Sequence, residues 1–94
     1  MIYLGVDPGA KGGLAAIDEN SKVLFAVPMS RENLVNYIKK LHNDIIETND
    51  GVIACVEKVG AMPGQGVTSM FSFGKSAGFI EGVLESFEIP YQLV

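Results

Sequence analysis

The sequence predicts an α/β domain built on one mixed sheet, and three observations carry that prediction. Short apolar runs alternate with two stretches of helical periodicity in the order β-β-β-α-β-α-β. The first three runs are joined by short connections, which suits an antiparallel meander. The later runs are separated by helices, which favours parallel pairing through right-handed crossovers. The sheet is thus expected to be antiparallel at its start and parallel afterwards, with helices against it.

Each element has a local reason. "IYLGV" (2–6) is an apolar run stopped by Asp-Pro-Gly and reads as a buried strand. "GGLAAID" (12–18) and "KVLFAV" (22–27) are the second and third strands, with "ENS" (19–21) as the tight turn between them. Ser30 is a candidate N-cap, and Glu32 falls in the first turn, where the helix dipole favours negative charge. Leu34, Tyr37, Ile38, Leu41 and Ile45 then recur at helical spacing, and the helix should end near Asn49–Gly51. "VIACVE" (52–57) is another unbroken apolar run, again ending on a carboxylate.

"KVGAMPGQGV" (58–67) holds three glycines and a proline and reads as a loop. Thr68 or Ser69 can cap a second helix with Phe73, Ala77, Ile80, Leu84 and Phe87 on its apolar face. Gly74, Gly78 and Gly82 fall every fourth residue along it. Glycine costs about 1 kcal/mol per helix position relative to alanine. Such a row predicts a close neighbour, either the sheet or a partner helix. "IPYQLV" (89–94) reads as the last strand.

The bulk properties set bounds. Ninety-four residues suffice for one core and one domain. With 48% hydrophobic and 19% charged residues the chain should fold. No apolar run approaches the roughly 20 residues that span a bilayer, and the start "MIYLGVDPG" has no basic n-region or cleavage site. Cys55 is alone, so no internal disulfide is possible and a cytoplasmic location is expected. No Cys/His cluster suggests zinc. The net charge of −4 argues against strong nucleic-acid binding by these residues alone, since phosphate contacts come from Lys and Arg.

The first and fourth runs end on Asp7 and Glu57. If those strands are parallel neighbours, both carboxylates emerge at the carboxyl edge of the sheet, where open α/β sheets place ligands. Two adjacent carboxylates repel and raise each other's pKa. A divalent cation removes that penalty, and Mg²⁺ or Mn²⁺ suits a site shared by carboxylates and substrate phosphates. Asp-Pro-Gly would stop the strand and leave backbone room beside Asp7. Plainer roles exist for each residue alone: a turn-forming Asp, and a strand-end Glu paired with Lys58 or solvated. Occurring together at matched strand ends, the pair favours the cation site.

These residues resemble a known family. "LGVDPGAKGGLAAID", a helix, "VIACVEKV", a glycine-containing helix and "IPYQLV" together resemble the RuvC-like Holliday junction resolvases of the ribonuclease H-like superfamily, most of all the shortened phage and prophage members. The likeness runs through nearly the whole chain. It places the family's first-strand Asp on Asp7 and its fourth-strand Glu on Glu57, as metal ligands and catalytic residues. It implies a homodimeric endonuclease of branched DNA, the four-way junction of recombination and repair, using Mg²⁺ or Mn²⁺ and leaving 5′-phosphate and 3′-hydroxyl ends. The family carries two more acidic ligands on a helix beyond the fifth strand, which these residues lack. The resemblance therefore implies one ribonuclease H-like domain over 1–94, C-terminally truncated, with weak metal affinity and little or no cleavage on its own.

Lys11, Lys58, Gln65 and Lys75 are the candidate DNA-contacting residues; the lysines could equally be solvated. Met62 and Pro63 at the loop centre could wedge against bases or simply pack. "FGKSAG" (73–78) imitates a phosphate loop, but Ser69 stands where the motif needs Gly and the periodicity is helical. His42 is expected on the surface and Cys55 as a small apolar side chain in a buried strand. Two rival functions remain open. "DPGAKGG" could be the phosphate hairpin of an actin-fold sugar kinase or ATPase, although Ala10 replaces the usual Ser or Thr and Glu57 then has no role. The chain could also be a non-catalytic DNA-binding remnant dimerising through its glycine-rich helix.

Overall fold

The computed structural model describes residues 1–48, 50–58 and 67–94. Its elements are β1 (Ile2–Val6), β2 (Gly13–Asp18), β3 (Val23–Pro28), α1 (Arg31–Thr48), β4 (Val52–Val56), α2 (Val67–Ser86) and β5 (Tyr91–Leu93). The order and type of every element match the sequence reading. The five strands form one sheet in the order β3-β2-β1-β4-β5. Pairing is antiparallel from β3 through β1 and parallel from β1 through β5, the expected mixed sheet.

Local chemistry sets the connections. Between β2 and β3, Asp18 Oδ1 accepts from the amides of Asn20 and Lys22, both at 2.9 Å. That Asx turn carries Ser21 into the left-handed region at φ 65°. Ser30 caps α1, its Oγ accepting from the Asn33 amide at 3.0 Å. The end of α2 has no glycine. Glu88 takes the left-handed position instead, at φ 57°, and the Ile89 amide donates back to the Leu84 carbonyl at 2.9 Å.

Alternation along β1 and β4 buries Ile2, Leu4, Val6, Val52, Ala54 and Val56 on one face of the sheet. Helix α1 covers that face with Leu34, Ile38 and Leu41, and α2 with Ile80 and Leu84. Both helices lie on this side, so Tyr3, Ile17 and Ile53 are exposed on the other. Cys55 is exposed there too, a correction to its expected burial. An unbroken apolar strand does not reveal which of its faces is covered.

Three further expectations change. Helix α2 starts at Val67, which puts Thr68 and Ser69 inside its first turn and not at the cap. A Cβ built on Gly74, Gly78 or Gly82 meets nothing within 4 Å, so no described part of this chain approaches that row. The row faces outward while Ile80 and Leu84 take the contact with the sheet. His42 is half-buried, its ring edge-on to Phe87 at 5.3 Å. The loop around Met62 and Pro63, and the side chain of Phe73, lie outside the description.

Candidate active site at the carboxyl rim of the sheet

Strands β1 and β4 run parallel in matched register, Ile2 opposite Val52 through Val6 opposite Val56. The Glu57 amide continues the ladder by donating to the Val6 carbonyl at 2.9 Å. Asp7 and Glu57 therefore leave the sheet on the same rim, one rung beyond its last apolar pair. Since Val6 and Val56 face the helices, strand alternation turns both acids toward the open side. Both carboxylates line one groove of about 790 Å³ together with Lys11 and Cys55.

The turn after β1 fixes Asp7. Its Oδ1 accepts from the Gly9 amide at 3.1 Å, and its own amide donates to the Gly13 carbonyl at 2.9 Å. The Gly12 amide donates to the Gly9 carbonyl at 2.8 Å and tightens the loop further. A Cβ on Gly12 would lie 2.0 Å from the Asp7 carbonyl oxygen, so only glycine fits the turn as built.

The two acids feel each other. Glu57 is held above the usual glutamate range, first because its protonated carboxyl hydrogen-bonds to Asp7, then through repulsion from the Asp7 charge, and last through desolvation. Among the described residues no group of three or more His, Cys, Asp or Glu is placed to hold a metal ion. A pair of carboxylates is nonetheless the donor set with which Mg²⁺ is ordinarily held beside substrate phosphates. Oxygen donors of like charge, opening into a groove, fit such a cation.

The remaining sequence candidates divide. Lys11 shares the groove with the acids. Lys58 is exposed and lines an adjoining cavity of about 180 Å³ with Glu57. Lys75 lies on α2 with its ammonium 5.8 Å from the Phe71 ring, and it lines none of these cavities. Gln65 lies outside the described residues. "FGKSAG" is helical within α2 and is not a phosphate loop. Sequence reasoning missed Glu81, which lines the same cavity as Glu57 and Lys58. The Tyr91 hydroxyl lies 3.1 Å from Glu81 Oε1 and 2.7 Å from Glu85 Oε1, so Glu81 is already engaged. The two carboxylates, Glu85 foremost, push the Tyr91 hydroxyl pKa strongly up. No motif marks Glu81, because only the packing of α2 beside β4 and β5 brings it there.

The mixed sheet, its strand order and its two covering helices define a ribonuclease H-like α/β fold. No family model matches the sequence, and no curated protein does. Among solved structures, the fold is that of RuvC. Thermus thermophilus RuvC in complex with a Holliday junction substrate superposes with a TM-score of 0.63 at 14% identity, covering 100% of this chain and 64% of that one. A second Thermus thermophilus RuvC structure gives 0.58 at 16% identity, with 100% and 63% coverage. The chain thus spans just under two thirds of RuvC, and at this identity the likeness is one of fold.

Proposed function

We propose that this chain is the RuvC-like nuclease portion of a divalent-metal-dependent endonuclease acting on branched DNA, with Asp7 and Glu57 as ligands of Mg²⁺ or Mn²⁺. The observation that carries the reading is the juxtaposition of these two acids at matched positions of parallel strands, close enough to hold Glu57 above its ordinary range. When bound, the cation would polarise the phosphodiester and lower the pKa of a bound water. The chain's own residues then have distinct tasks. The Gly9 amide holds Asp7 in one orientation. Glu57 closes the rim from β4, and a bound cation would offset the repulsion from Asp7 that holds its carboxyl above the usual range. Lys11 brings positive charge toward a phosphate in the groove. Lys58, Gln65 and Lys75 are further DNA contacts in this reading.

A four-way junction bound by a homodimer, one site per crossing strand, fits the fold shared with a protein solved on a Holliday junction. A cytoplasmic setting suits such a substrate, and no helix among the described residues is long and apolar enough to cross a membrane. Two carboxylates hold a metal weakly, so hydrolysis by these 94 residues alone is expected to be weak or absent. Metal binding is therefore the primary test. Trace Mn²⁺ should broaden the amide resonances of Gly9 and Lys58 in the wild-type chain and spare them in Asp7→Asn. Equal broadening in both proteins, or none in either, would overturn the assignment. Any nicking of a labelled four-way junction should need Mn²⁺ and vanish in the same variant.

A further inference from the structure

A second concavity sits behind the Asp7-Pro8-Gly9 turn, on the helix side of the sheet. It encloses about 190 Å³ between that turn, the start of α1 and the middle of α2. We propose that this cavity is a phosphate subsite, in which Arg31 holds a backbone phosphate of the DNA strand that crosses the Asp7–Glu57 rim. The inference rests on the nuclease reading for the identity of the ligand, and on the cavity's own chemistry for its class.

Four features of the wall carry it. Arg31 lies with its guanidinium carbon 4.6 Å from the centre of the Phe79 ring, and both side chains line the cavity. The cation–π contact holds the exposed guanidinium beside the ring, and its N–H donors remain available to an oxyanion. No carboxylate among the described residues lies within ion-pair distance of Arg31. An arginine oriented by an aromatic ring, without an acidic partner, is a donor set waiting for an oxyanion. Ser30 and Ser76 add hydroxyls from opposite walls. Ser30 Oγ already accepts from the Asn33 amide, so its own proton remains available to donate.

Position supplies the rest. Ala10 lines both this cavity and the acidic groove, so the turn that fixes Asp7 is the wall between them. A strand laid across the rim would present one phosphate to the acids and another to Arg31. The chain's net charge of −4 gives added weight to any cation at this rim. Lys11 supplies one on the open side and Arg31 one on the helix side.

The cavity and its use are tested separately. Inorganic phosphate, titrated against the wild-type chain, should shift the Arg31 side-chain resonance and the amides of Gly9, Ala10 and Ser76. The shifts of the three amides should be lost in Arg31→Ala and only partly recovered in Arg31→Lys, which keeps the charge but not the guanidinium fork, with Ser76→Ala intermediate. Absent shifts in the wild type, or shifts that persist in Arg31→Ala, overturn the subsite whatever the protein's function. Metal-free binding of a labelled four-way junction then tests the ligand. Arg31→Ala should weaken binding several-fold and lower the slope of log K against log salt by roughly 0.9, the loss of one phosphate contact. An unchanged slope with intact phosphate shifts would reject DNA as the ligand of the cavity. A wild-type chain that binds phosphate but no DNA would count against the nuclease reading, and the subsite would stand without it.

Discussion

Strands β1 and β4 lie side by side, and their two ends are built on opposite electrostatic plans. At the amino rim unlike charges meet: the Met1 ammonium donates to Asp50 Oδ1 and lies 3.7 Å from Glu19 Oε2. The hydrogen bond to Asp50 raises the amine's pKa, and the same contact lowers that of Asp50. At the carboxyl rim like charges meet, and Glu57 is pushed up by Asp7. The two rims belong to the same pair of strands in the same register. The chain thus pairs opposite charges at the amino rim and sets like charges beside a groove at the carboxyl rim, as the proposed cation site requires. Locally unfavourable electrostatics that the fold holds in place are what a binding site costs its scaffold.

The largest expected effect tests that contrast directly. Asp7→Asn or Glu57→Gln should weaken Mn²⁺ binding by more than the roughly 10–100-fold that loss of an outer-shell partner costs. Asp50→Asn should leave it unchanged. Metal binding measured by paramagnetic broadening or calorimetry decides, and comparable losses at both rims would break the comparison.

A backbone substitution comes next. Gly12→Ala would place a methyl 2.0 Å from the Asp7 carbonyl oxygen, whereas the Cβ of Gly13→Ala meets the Val27 carbonyl oxygen at an ordinary 3.7 Å. The first should destabilise the fold by about 1–3 kcal/mol, as overpacking does, and reduce Mn²⁺ affinity by moving Asp7. The second should stay within about 0.5 kcal/mol. Chemical denaturation of both variants measures the difference.

Much of this was legible in the sequence, for identifiable reasons. Apolar runs bounded by Asp-Pro-Gly, Glu-Asn-Ser and Asp-Gly punctuate the strands, and the Ser30 cap marks α1. The rim pair could be read because each carboxylate directly follows an apolar run, so matched register alone brings the two together. The failures are tertiary. The row of Gly74, Gly78 and Gly82 gives a period but not the direction it faces. Cys55 lies in an apolar run whose outer face is left uncovered by α1 and α2. No sequence signal marks Glu88 as the residue that takes the left-handed position after α2. Glu81 and Arg31 join their cavities only when three separate elements meet.

The pH dependence of stability should separate the rims by sign. Glu57 binds its proton more tightly folded than unfolded, so in that window the native state carries more protons and stability falls as pH rises. The loss begins above the ordinary glutamate range and is complete once pH passes the raised value. Glu57→Gln should abolish it. At the amino rim, the contribution of Asp50 is present above the ordinary aspartate range and lost as pH falls through its lowered value. The raised amine contributes below the ordinary range of an α-amine, and that contribution is lost as pH rises through its shifted value. Melting temperatures across the acid range should therefore fall with rising pH at the carboxyl rim and climb at the amino rim. The two single variants isolate each limb.

The smallest effect is Asp50→Asn at neutral pH, and salt is what makes it informative. Asparagine keeps an oxygen that can accept the 2.8 Å bond from the Gly51 amide, so the substitution removes chiefly the charge facing Met1. Asp50 and Met1 are solvent-accessible, and exposed ion pairs contribute little and are screened within a Debye length of about 8 Å at physiological ionic strength. The variant should melt slightly below wild type in dilute buffer and match it in high salt. Glu57→Gln should do the reverse, melting above wild type in dilute buffer, with the gain shrinking as salt screens the repulsion it removes. Opposite signs that converge on zero with added NaCl would tie both rims to charge. A salt-independent loss in Asp50→Asn would instead place its effect in the backbone turn at Gly51.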